Sequence, residues 1–406
     1  MQQDFDLIVI GGGAAGFFTA IRCAEKNPAM RIAILEKSDK VLSKVRISGG
    51  GRCNVTHACF DPTEMVTHYP RGQKELLGPF HTFLGGDMMG WLEDHGVPTK
   101  IEADGRVFPV SDSSQSIIDC FEQCTRNMGI RVLLQCGVQQ LQYRNNTWEI
   151  TTGKGLFSAR QVMIATGSSP AMWKLLEDMG CAIVPPVPSL FTFNIQHHLL
   201  QDLQGIAVPA AAILAILPNE VCTEGPLLIT HWGLSGPAVL KASAIGAIDM
   251  HACSYRFKVT VNWTGRDPTE IHAYIDEQRR IQGGKKVSAS PAWGVPKRLW
   301  ERLIVLARIE GKNWSDLSTA DRERWVGWLT ASQLPVNGKS TFKEEFVTAG
   351  GIDLRDIRFT TMEHKHFPGL YFSGEVLNID AITGGFNFQA AWTTAEVAAN
   401  AIAFAP

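Results

Sequence analysis

The sequence predicts an α/β fold, in which a three-layer domain is built on a mostly parallel sheet and carries an inserted β-rich domain and a small helical subdomain. Apolar runs that lead into glycine occur at residues 6–11, 161–167 and 368–374, and such runs are typical of parallel strands buried on both faces. Between the last two runs, residues 189–265 contain several strand-like stretches, and residues 267–332 contain helix-start patterns.

The first element is a βαβ unit. The apolar strand predicted over residues 6–10 leads into residues 11–16, GGGAAG, which fit the pattern G-x-G-x-x-G. A helix is predicted over 14–26, before an Asn-Pro pair, and a second strand over 31–35 leads to Glu36.

These residue types suit a bound dinucleotide. Gly11 permits a tight turn, Gly13 lets a pyrophosphate approach the backbone, and Gly16 lets the helix pack closely on the strand. The N–H groups at the helix start receive phosphates. Glu36 has the spacing of an acid that binds a ribose 2′-hydroxyl, which suits FAD or NAD and disfavours NADP. A tight βαβ turn with an incidental glutamate is the alternative.

A glycine-rich loop follows at Ser48–Asn54, SGGGRCN. Consecutive glycines flanked by hydroxyl, basic and amide side chains can form a concave set of backbone donors for an anion or a flat ring. A flexible surface loop is the alternative. Cys53 could lie near a redox ring, but the pattern favours a buried thiol.

The remainder of the first half is predicted to contain short elements. Residues 80–95 predict one amphipathic helix, Asp104-Gly105 a hairpin turn, and residues 113–128 a second helix. The strand near 161–165 ends in Ala165-Thr166-Gly167. This ending places small residues at the carboxyl edge of a parallel sheet, where ligands bind in such folds.

Residues 184–188, VPPVP, predict a stiff linker and a domain boundary. Five tryptophans in the helical segment fit a small core better than a nucleic-acid stacking surface. The predicted domains are residues 1–187 with 342–406 for nucleotide binding, 188–266 with 333–341 for the inserted β domain, and 267–332 for the helical subdomain.

Two motifs near the end of the chain carry ligand chemistry. Gly374-Glu375 follows a strand, and Gly384-Gly385 precede an alanine-rich helix predicted to end near residue 402. The carboxylate can bind a polyol, and the helix N-terminus can receive a second polar ligand group.

Composition excludes several classes of protein. The 406 residues are 45% hydrophobic and 19% charged, which is typical of a globular enzyme of two or three domains. The net charge of −2 argues against an extended nucleic-acid surface. Nine scattered cysteines without zinc spacing, and no predicted signal or membrane segment, indicate a cytoplasmic protein with no metal site and no membrane partner. The oligomeric state is left open.

In this order the motifs resemble the BaiN-type family of bacterial FAD-dependent flavoproteins, which is also labelled NAD(P)/FAD-dependent or aminoacetone-oxidase-like. The resemblance covers nearly the whole chain, with His364 as a local departure. It rests on Ser48–Thr56, Ala165–Gly167, Thr230–Pro237, Thr348–Gly351, Thr361–Lys365 and Gly369–Gln389.

The resemblance implies a Rossmann-like FAD-binding domain and assigns roles to residues. It places the pyrophosphate at residues 11–16, the adenosine ribose at Glu36, the adenine at the backbone of Val138, the ribitol at Glu375, and the flavin between residues 49–54 and 384–387. The cofactor-binding residues are then Gly11, Gly13, Ala14, Ala15, Gly16, Glu36, Lys37, Ser48, Gly49, Gly50, Gly51, Arg52, Cys53, Asn54, Val138, Ala165, Thr166, Gly167, Gly374, Glu375, Gly384, Gly385, Phe386 and Asn387.

These observations predict an FAD-dependent oxidoreductase that acts on a small-molecule substrate, with nucleic acid an unlikely partner. The single G-x-G-x-x-G unit is used by FAD, so NAD(P)H would bind only transiently. No catalytic acid or base is assigned. His231 could act as a general acid or base, and a structural role beside a helix start is the alternative. Two other functions stay open: a non-catalytic FAD-binding module, and a flavoprotein acting on RNA, as in tRNA modification, through Arg298, Arg302, Arg308 and Lys312.

Overall fold

The computed structural model describes residues 3–340 and 347–405. The chain forms two compact units, unit 1 (Met1–Val187 with Lys343–Pro406) and unit 2 (Pro188–Phe342). The predicted boundary between residues 341 and 342 lies outside the described residues. The division of the inserted part into a β domain and a helical subdomain stays a prediction.

The strands of both units are numbered in chain order. They are β1 Gln3–Ile10, β2 Ile32–Leu35, β3 Thr56–His57, β4 Thr99–Ile101, β5 Arg106–Pro109, β6 Arg131–Leu133, β7 Val138–Arg144, β8 Thr147–Thr152, β9 Gly155–Ile164, β10 Ile183–Ser189, β11 Thr192–Asn194, β12 Ala207–Ile216, β13 Val221–Ile229, β14 Gly233–Ser235, β15 Arg256–Asn262, β16 Ser332–Asn337, β17 Lys339–Ser340, β18 Val347–Ile352, β19 Ile357–Arg358, β20 Glu363–His364 and β21 Leu370–Phe372.

The α-helices are numbered in the same way, and short 3₁₀ turns connect some of them. They are α1 Ala14–Lys26, α2 Ser43–Ile47, α3 Pro62–Met65, α4 Gln73–Thr82, α5 Gly85–Asp94, α6 Ser114–Asn127, α7 Pro170–Asp178, α8 Pro237–Ile245, α9 Ala247–Ala252, α10 Pro268–Gln282, α11 Lys297–Leu306, α12 Thr319–Thr330 and α13 Phe386–Ala403. Among the described residues, every helix is too short or too polar to span a bilayer.

Unit 1 is built on a sheet in the order β19-β20-β21-β9-β1-β2-β6. The five strands from β21 to β6 are parallel, β19 and β20 add an antiparallel edge, and the β7–β8 hairpin joins β9. The predicted α/β fold with a mostly parallel sheet is confirmed. Its central strands are apolar throughout because they are buried on both faces, and Leu7–Ile10 are almost fully enclosed.

Helices α1 and α13 pack against each other beside this sheet. The ring of Phe18 contacts the rings of Trp91 (5.1 Å between centroids) and Trp392 (5.5 Å), both edge-on. Glu396 of α13 joins the C-terminal turn of α1 through Arg22 (2.6 Å) and Lys26 (2.9 Å). The two helices are therefore fixed by an aromatic core and by a partly buried ion-pair cluster.

Two local predictions were wrong. Residues 80–95 form α4 and α5 rather than one helix, because the Asp87 carboxylate accepts the Leu84 N–H (2.7 Å) and starts a new helix. The proline-rich segment 184–188 is not a linker but part of β10, which pairs with β18. Prolines are tolerated there because a two-stranded ribbon leaves N–H groups on its outer side unpaired.

Unit 2 contains a seven-stranded antiparallel sheet in the order β16-β15-β12-β13-β14-β11-β17, as predicted for a β-rich insert. Asp267 and Ser318 cap α10 and α12. Trp300, Trp314 and Trp325 are fully buried, and the Trp325 ring contacts the other two, which confirms that these rings form a core rather than a stacking surface.

Candidate functional site

The site of unit 1 forms where parallel strands end together. Ile10, the last residue of β1, pairs with both Leu35 and Ile164, and Ile164 pairs with Phe372 of β21. The residues that follow these strands, among them Gly11, Glu36, Ala165 and Gly374, must therefore meet at one edge of the sheet.

The glycines at the start of α1 have different environments. A Cβ added at Gly11 would overlap the carbonyl oxygen of Ala165, and one at Gly16 would overlap the carbonyl oxygen of Gly11. A Cβ at Gly13 would meet nothing within 4 Å, and no side chain caps the helix that starts there. The first and third glycines are thus required for packing, whereas the second leaves the positive end of α1 open to an anion, next to Ala14 and Ala15.

The Glu36 carboxylate is held in place at the end of β2. Its Oε2 accepts the Gly12 N–H (2.8 Å), and its Oε1 accepts the N–H (2.8 Å) and hydroxyl (2.7 Å) of Ser38. Oε2 retains a lone pair for a sugar hydroxyl, whereas Ser38 uses both lone pairs of Oε1. Lys37 is exposed beside it.

The segment after β6 runs alongside this acid. The Cys136 N–H donates to the Glu36 carbonyl (2.8 Å), and the Gln135 N–H donates to the Ser38 carbonyl (2.8 Å). These bonds bring the half-buried Val138 next to the Glu36 turn, where the resemblance expects an adenine.

The Ala165-Thr166-Gly167 turn follows β9. The Ala165 N–H donates to the Ile10 carbonyl (2.9 Å), so the turn continues the sheet edge. Thr166 carries a buried hydroxyl that has no hydrogen-bond partner among the described residues. A buried hydroxyl without a hydrogen-bond partner lowers the stability of the fold, and such groups are rare in proteins. The unpaired Thr166 hydroxyl therefore requires an explanation.

Glu375 is committed to two partners. Its Oε1 accepts the Thr348 N–H (3.1 Å), and its Oε2 pairs with Lys44 of α2, a residue that sequence reasoning missed. The neighbouring Gly374 packs on Ala15, because an added Cβ would lie 3.1 Å from the Ala15 methyl. Lys44 offered no sequence signal, since 331 residues separate it from Glu375.

The Ser48–Asn54 loop has one open and one closed side. Gly50 and Gly51 face open space, whereas an added Cβ at Gly49 would lie 2.9 Å from the Asn54 nitrogen. The Cys53 thiol is buried, as predicted, and this burial raises its pKa to about 12. The Cys53 N–H closes the loop on the Ser48 carbonyl (3.0 Å).

Arg52 in the same loop is not free for an anion. Its guanidinium lies over the Phe108 ring (3.9 Å to the centroid) and pairs with Glu102 (2.7 Å) and Asp112 (3.4 Å). This side chain therefore anchors the loop, and the open backbone of Gly50 and Gly51 is the part available to a ligand.

The C-terminal motif closes on this loop. With its amide oriented to match both neighbours, Asn54 accepts the Gly385 N–H (3.0 Å) and donates to the Thr56 carbonyl (3.0 Å). Asn387 accepts the Ala381 N–H (3.0 Å) and donates to the Ala381 carbonyl (3.2 Å). Both amides thus hold backbone in place, and Gly384 and Gly385 lead into α13 without a side-chain cap.

Phe386, the first residue of α13, is packed among aromatic side chains. It is 2% exposed, and its ring contacts those of both His57 (4.7 Å between centroids) and His68 (4.1 Å). The Tyr69 hydroxyl donates to the Phe386 carbonyl (2.6 Å). These three neighbours were not predicted as site residues, because nothing in their sequence spacing relates them to Phe386.

The residues present fit an extended dinucleotide. The open Gly13, the uncapped start of α1 and the oriented Glu36 suit a diphosphate and a ribose, and the partnerless Thr166 hydroxyl offers one more polar contact. In unit 2, Arg298 and Arg302 donate to carbonyls of the 198–202 segment. The sequence predicts both arginines as RNA contacts in the alternative function. Their guanidinium groups, however, already donate these hydrogen bonds within unit 2.

Comparison with known proteins gives three findings. A model of the family described as the HI0933-like protein Rossmann domain matches residues 5–401. The chain is 29% identical over 403 residues, 97% of each protein, to the ribosomal RNA dihydrouridine synthase of Escherichia coli K12. It is 27% identical over 418 residues, 98% of this chain and 99% of the relative, to the 3-dehydro-bile acid delta(4,6)-reductase of Clostridium scindens.

A solved structure, the 3-ketosteroid delta1-dehydrogenase of Sterolibacterium denitrificans, shares the fold. The TM-score is 0.53 at 10% identity, over 99% of this chain and 100% of that one.

Proposed function

The chain belongs to the HI0933-like family, and on that premise we propose that it is a reductase that saturates a carbon–carbon double bond conjugated to a carbonyl group, with a uridine of ribosomal RNA as substrate. The observation that carries the proposal is the similarity along nearly the whole chain to a ribosomal RNA dihydrouridine synthase. Dihydrouridine is uridine with its C5=C6 bond reduced, and that bond is conjugated to the C4 carbonyl.

Family membership confirms the predicted FAD-binding Rossmann fold and the class of FAD-dependent oxidoreductase. The narrower BaiN-type assignment and a transient role for NAD(P)H stay predictions. The expectation that nucleic acid is an unlikely partner finds no support, since a full-length relative is named for ribosomal RNA.

In this proposal Gly13, the open backbone of Gly50 and Gly51, and the carboxylates of Glu36 and Glu375 hold FAD. When bound in its reduced form, FAD supplies hydride to an electron-poor carbon. The start of α1 would bind the diphosphate, and Glu36 would orient the ribose through the Oε2 lone pair that Gly12 leaves free. The Lys44–Glu375 pair positions a carboxylate for the ribitol hydroxyls.

A basic segment of unit 2 supports an RNA substrate. Four basic side chains lie around the C-terminal end of α10, namely Arg279, Arg280, Lys285 and Lys286. Among the described residues, none of the four forms an ion pair. By contrast, Lys312 pairs with Asp321 (2.7 Å), and this contact holds the pKa of that carboxyl well below its usual range. Four basic side chains without ion pairs so close together attract a phosphate backbone.

The backbone beneath this basic segment is fixed. The Ser315 N–H donates to the Gly283 carbonyl (2.9 Å), and the Trp314 N–H donates to the Lys285 carbonyl (3.0 Å). A positively charged surface on a fixed backbone loses little conformational entropy when it binds.

The deciding experiment is anaerobic turnover of the FAD-loaded protein with NADH or NADPH and ribosomal RNA transcripts, read by nucleoside mass spectrometry. We expect uridine to gain two hydrogens at a specific position. A 3-oxo-4,6-diene steroid is the parallel substrate, chosen because of the bile-acid relative. Reduction of the steroid and not of RNA would replace the proposed substrate, and no flavin oxidation by either would refute the proposed class of double bond.

The basic segment is tested separately by RNA binding at several salt concentrations. The double variant Lys285→Gln, Lys286→Gln should weaken RNA binding roughly ten-fold at moderate salt. The slope of log affinity against log salt concentration should fall by the contribution of about two phosphate contacts. Arg256→Gln with Lys258→Gln, two exposed basic residues of the same unit, is the matched control. Equal losses in both double variants would show that only net charge matters.

A further inference from the structure

Outside the residues expected to hold FAD, the described residues contain one compact group of metal-binding side chains. The thiol of Cys59, a carboxylate oxygen of Glu64 and a ring nitrogen of His68 all lie within 4.8 Å of one another. We propose that these three residues bind a zinc ion. The inference does not depend on the proposed RNA substrate.

The local sequence explains how the three side chains meet. Asp61 caps α3 by accepting the N–H groups of Thr63 (2.7 Å) and Glu64 (3.1 Å), and Pro62 occupies the first helical position. The helical turns continue to His68, which places Glu64 and His68 four residues apart on one face. Cys59 immediately precedes the cap and is buried.

The ligand chemistry favours zinc over a hard cation. Thiolate, imidazole and carboxylate are its usual protein ligands, whereas magnesium and calcium select oxygen. A tetrahedral zinc centre holds its ligand atoms roughly 3.5 Å apart. Because Glu64 is exposed and Asp61 holds its backbone N–H, rotation of its side chain can close the remaining distance. Three protein ligands leave the fourth position to water.

The segment is packed against the start of α13. His68 stacks on Phe386 (4.1 Å), its carbonyl accepts the Ile382 N–H (3.0 Å), and Tyr69 bonds to the Phe386 carbonyl (2.6 Å). A zinc ion on His68 would therefore fix the ring that supports Phe386, at the end of the cleft where the flavin is expected. Its role would be positional.

The test uses the full-length, FAD-loaded protein. After incubation with zinc sulfate and gel filtration, elemental analysis should find one zinc per chain. X-ray absorption at the zinc edge, to which the flavin does not contribute, should show one sulfur neighbour at about 2.3 Å with nitrogen or oxygen neighbours at about 2.0 Å. Absence of retained zinc, or a shell without sulfur, would overturn the proposal.

Variants locate the site. Cys59→Ser and Glu64→Gln should each weaken zinc binding at least about ten-fold in competition with a chromogenic chelator. Cys222→Ser, which removes an exposed thiol of unit 2, is the matched control and should leave zinc binding unchanged. Glu64→Gln alters an exposed side chain, so it keeps the test valid if Cys59→Ser fails to fold. Unchanged affinity in Glu64→Gln, or equal loss in Cys222→Ser, would refute the assignment.

Discussion

Helices α1 and α13 both begin at a glycine that no side chain caps, yet their N-termini differ in what surrounds them. An added Cβ at Gly13 would meet nothing within 4 Å, whereas one at Gly385 would lie 2.5 Å from the Thr56 carbonyl oxygen. The first start is open to a ligand, and the second is closed by the chain itself. Similar local sequences, a glycine before an apolar helix, thus serve binding in one place and assembly in the other.

The largest expected effect is on the closed start. Gly385→Ala should lower the free energy of unfolding by about 3 kcal/mol, because the new methyl group contacts backbone and the residue has φ +94°. Urea unfolding of the FAD-free protein measures this change. Gly51→Ala is the control, since Gly51 has a similar φ of +87° but open space around it, and it should cost about 1 kcal/mol. Equal costs would mean that the contact with Thr56 is unimportant.

The open start should show the opposite pattern. Gly13→Leu should weaken FAD binding about 100-fold, since a side chain would occupy the space expected for the diphosphate. The stability of the FAD-free protein should change by less than about 1 kcal/mol, because Gly13 has φ −95° and no neighbours there. Flavin fluorescence titration and thermal unfolding measure the two quantities.

Gly90→Leu places the same side chain at an exposed glycine inside α5 and should leave FAD affinity unchanged. If Gly13→Leu and Gly90→Leu both kept the full affinity for FAD, the diphosphate would have to bind elsewhere.

The smallest expected effect concerns Glu396, which joins the middle of α13 to the C-terminal part of α1. Burial raises the pKa of this carboxyl, but the bonds from Arg22 and Lys26 outweigh it, so the pKa is lower in the folded protein than its ordinary value of 4.5. The ion pairs therefore stabilise the fold above pH 4.5, and this contribution is lost as the pH falls through the lowered pKa. Glu396→Gln should cost about 1–2 kcal/mol at pH 7.

The measurement is urea unfolding of both proteins at pH 7 and at a pH well below 4.5. The difference between them should shrink at the lower pH. A difference that is independent of pH would show that Glu396 acts through packing rather than through its charge.

Local sequence was sufficient wherever the stabilising contacts are close in the chain. The helix predicted over 14–26 is α1, Ala14–Lys26, because its apolar spacing and the Asn-Pro pair after it act within a few turns. The caps at Asp267 and Ser318 form for the same reason. The break between α4 and α5 was missed although Asp87 carries its signal, because an acid after a glycine pair was not interpreted as a helix start.

What the sequence by itself determined is the opening βαβ unit, the parallel strands that lead into glycine and the buried state of Cys53. Only the tertiary structure decided that Lys44 would pair with Glu375, that Asn54 would accept the Gly385 N–H, and that His68 would lie on Phe386. These partners are hundreds of residues apart, so no periodicity or local hydrogen bond relates them. They meet because parallel strands end at a common edge and because α13 returns to pack on α1, and this packing depends on the whole core of unit 1.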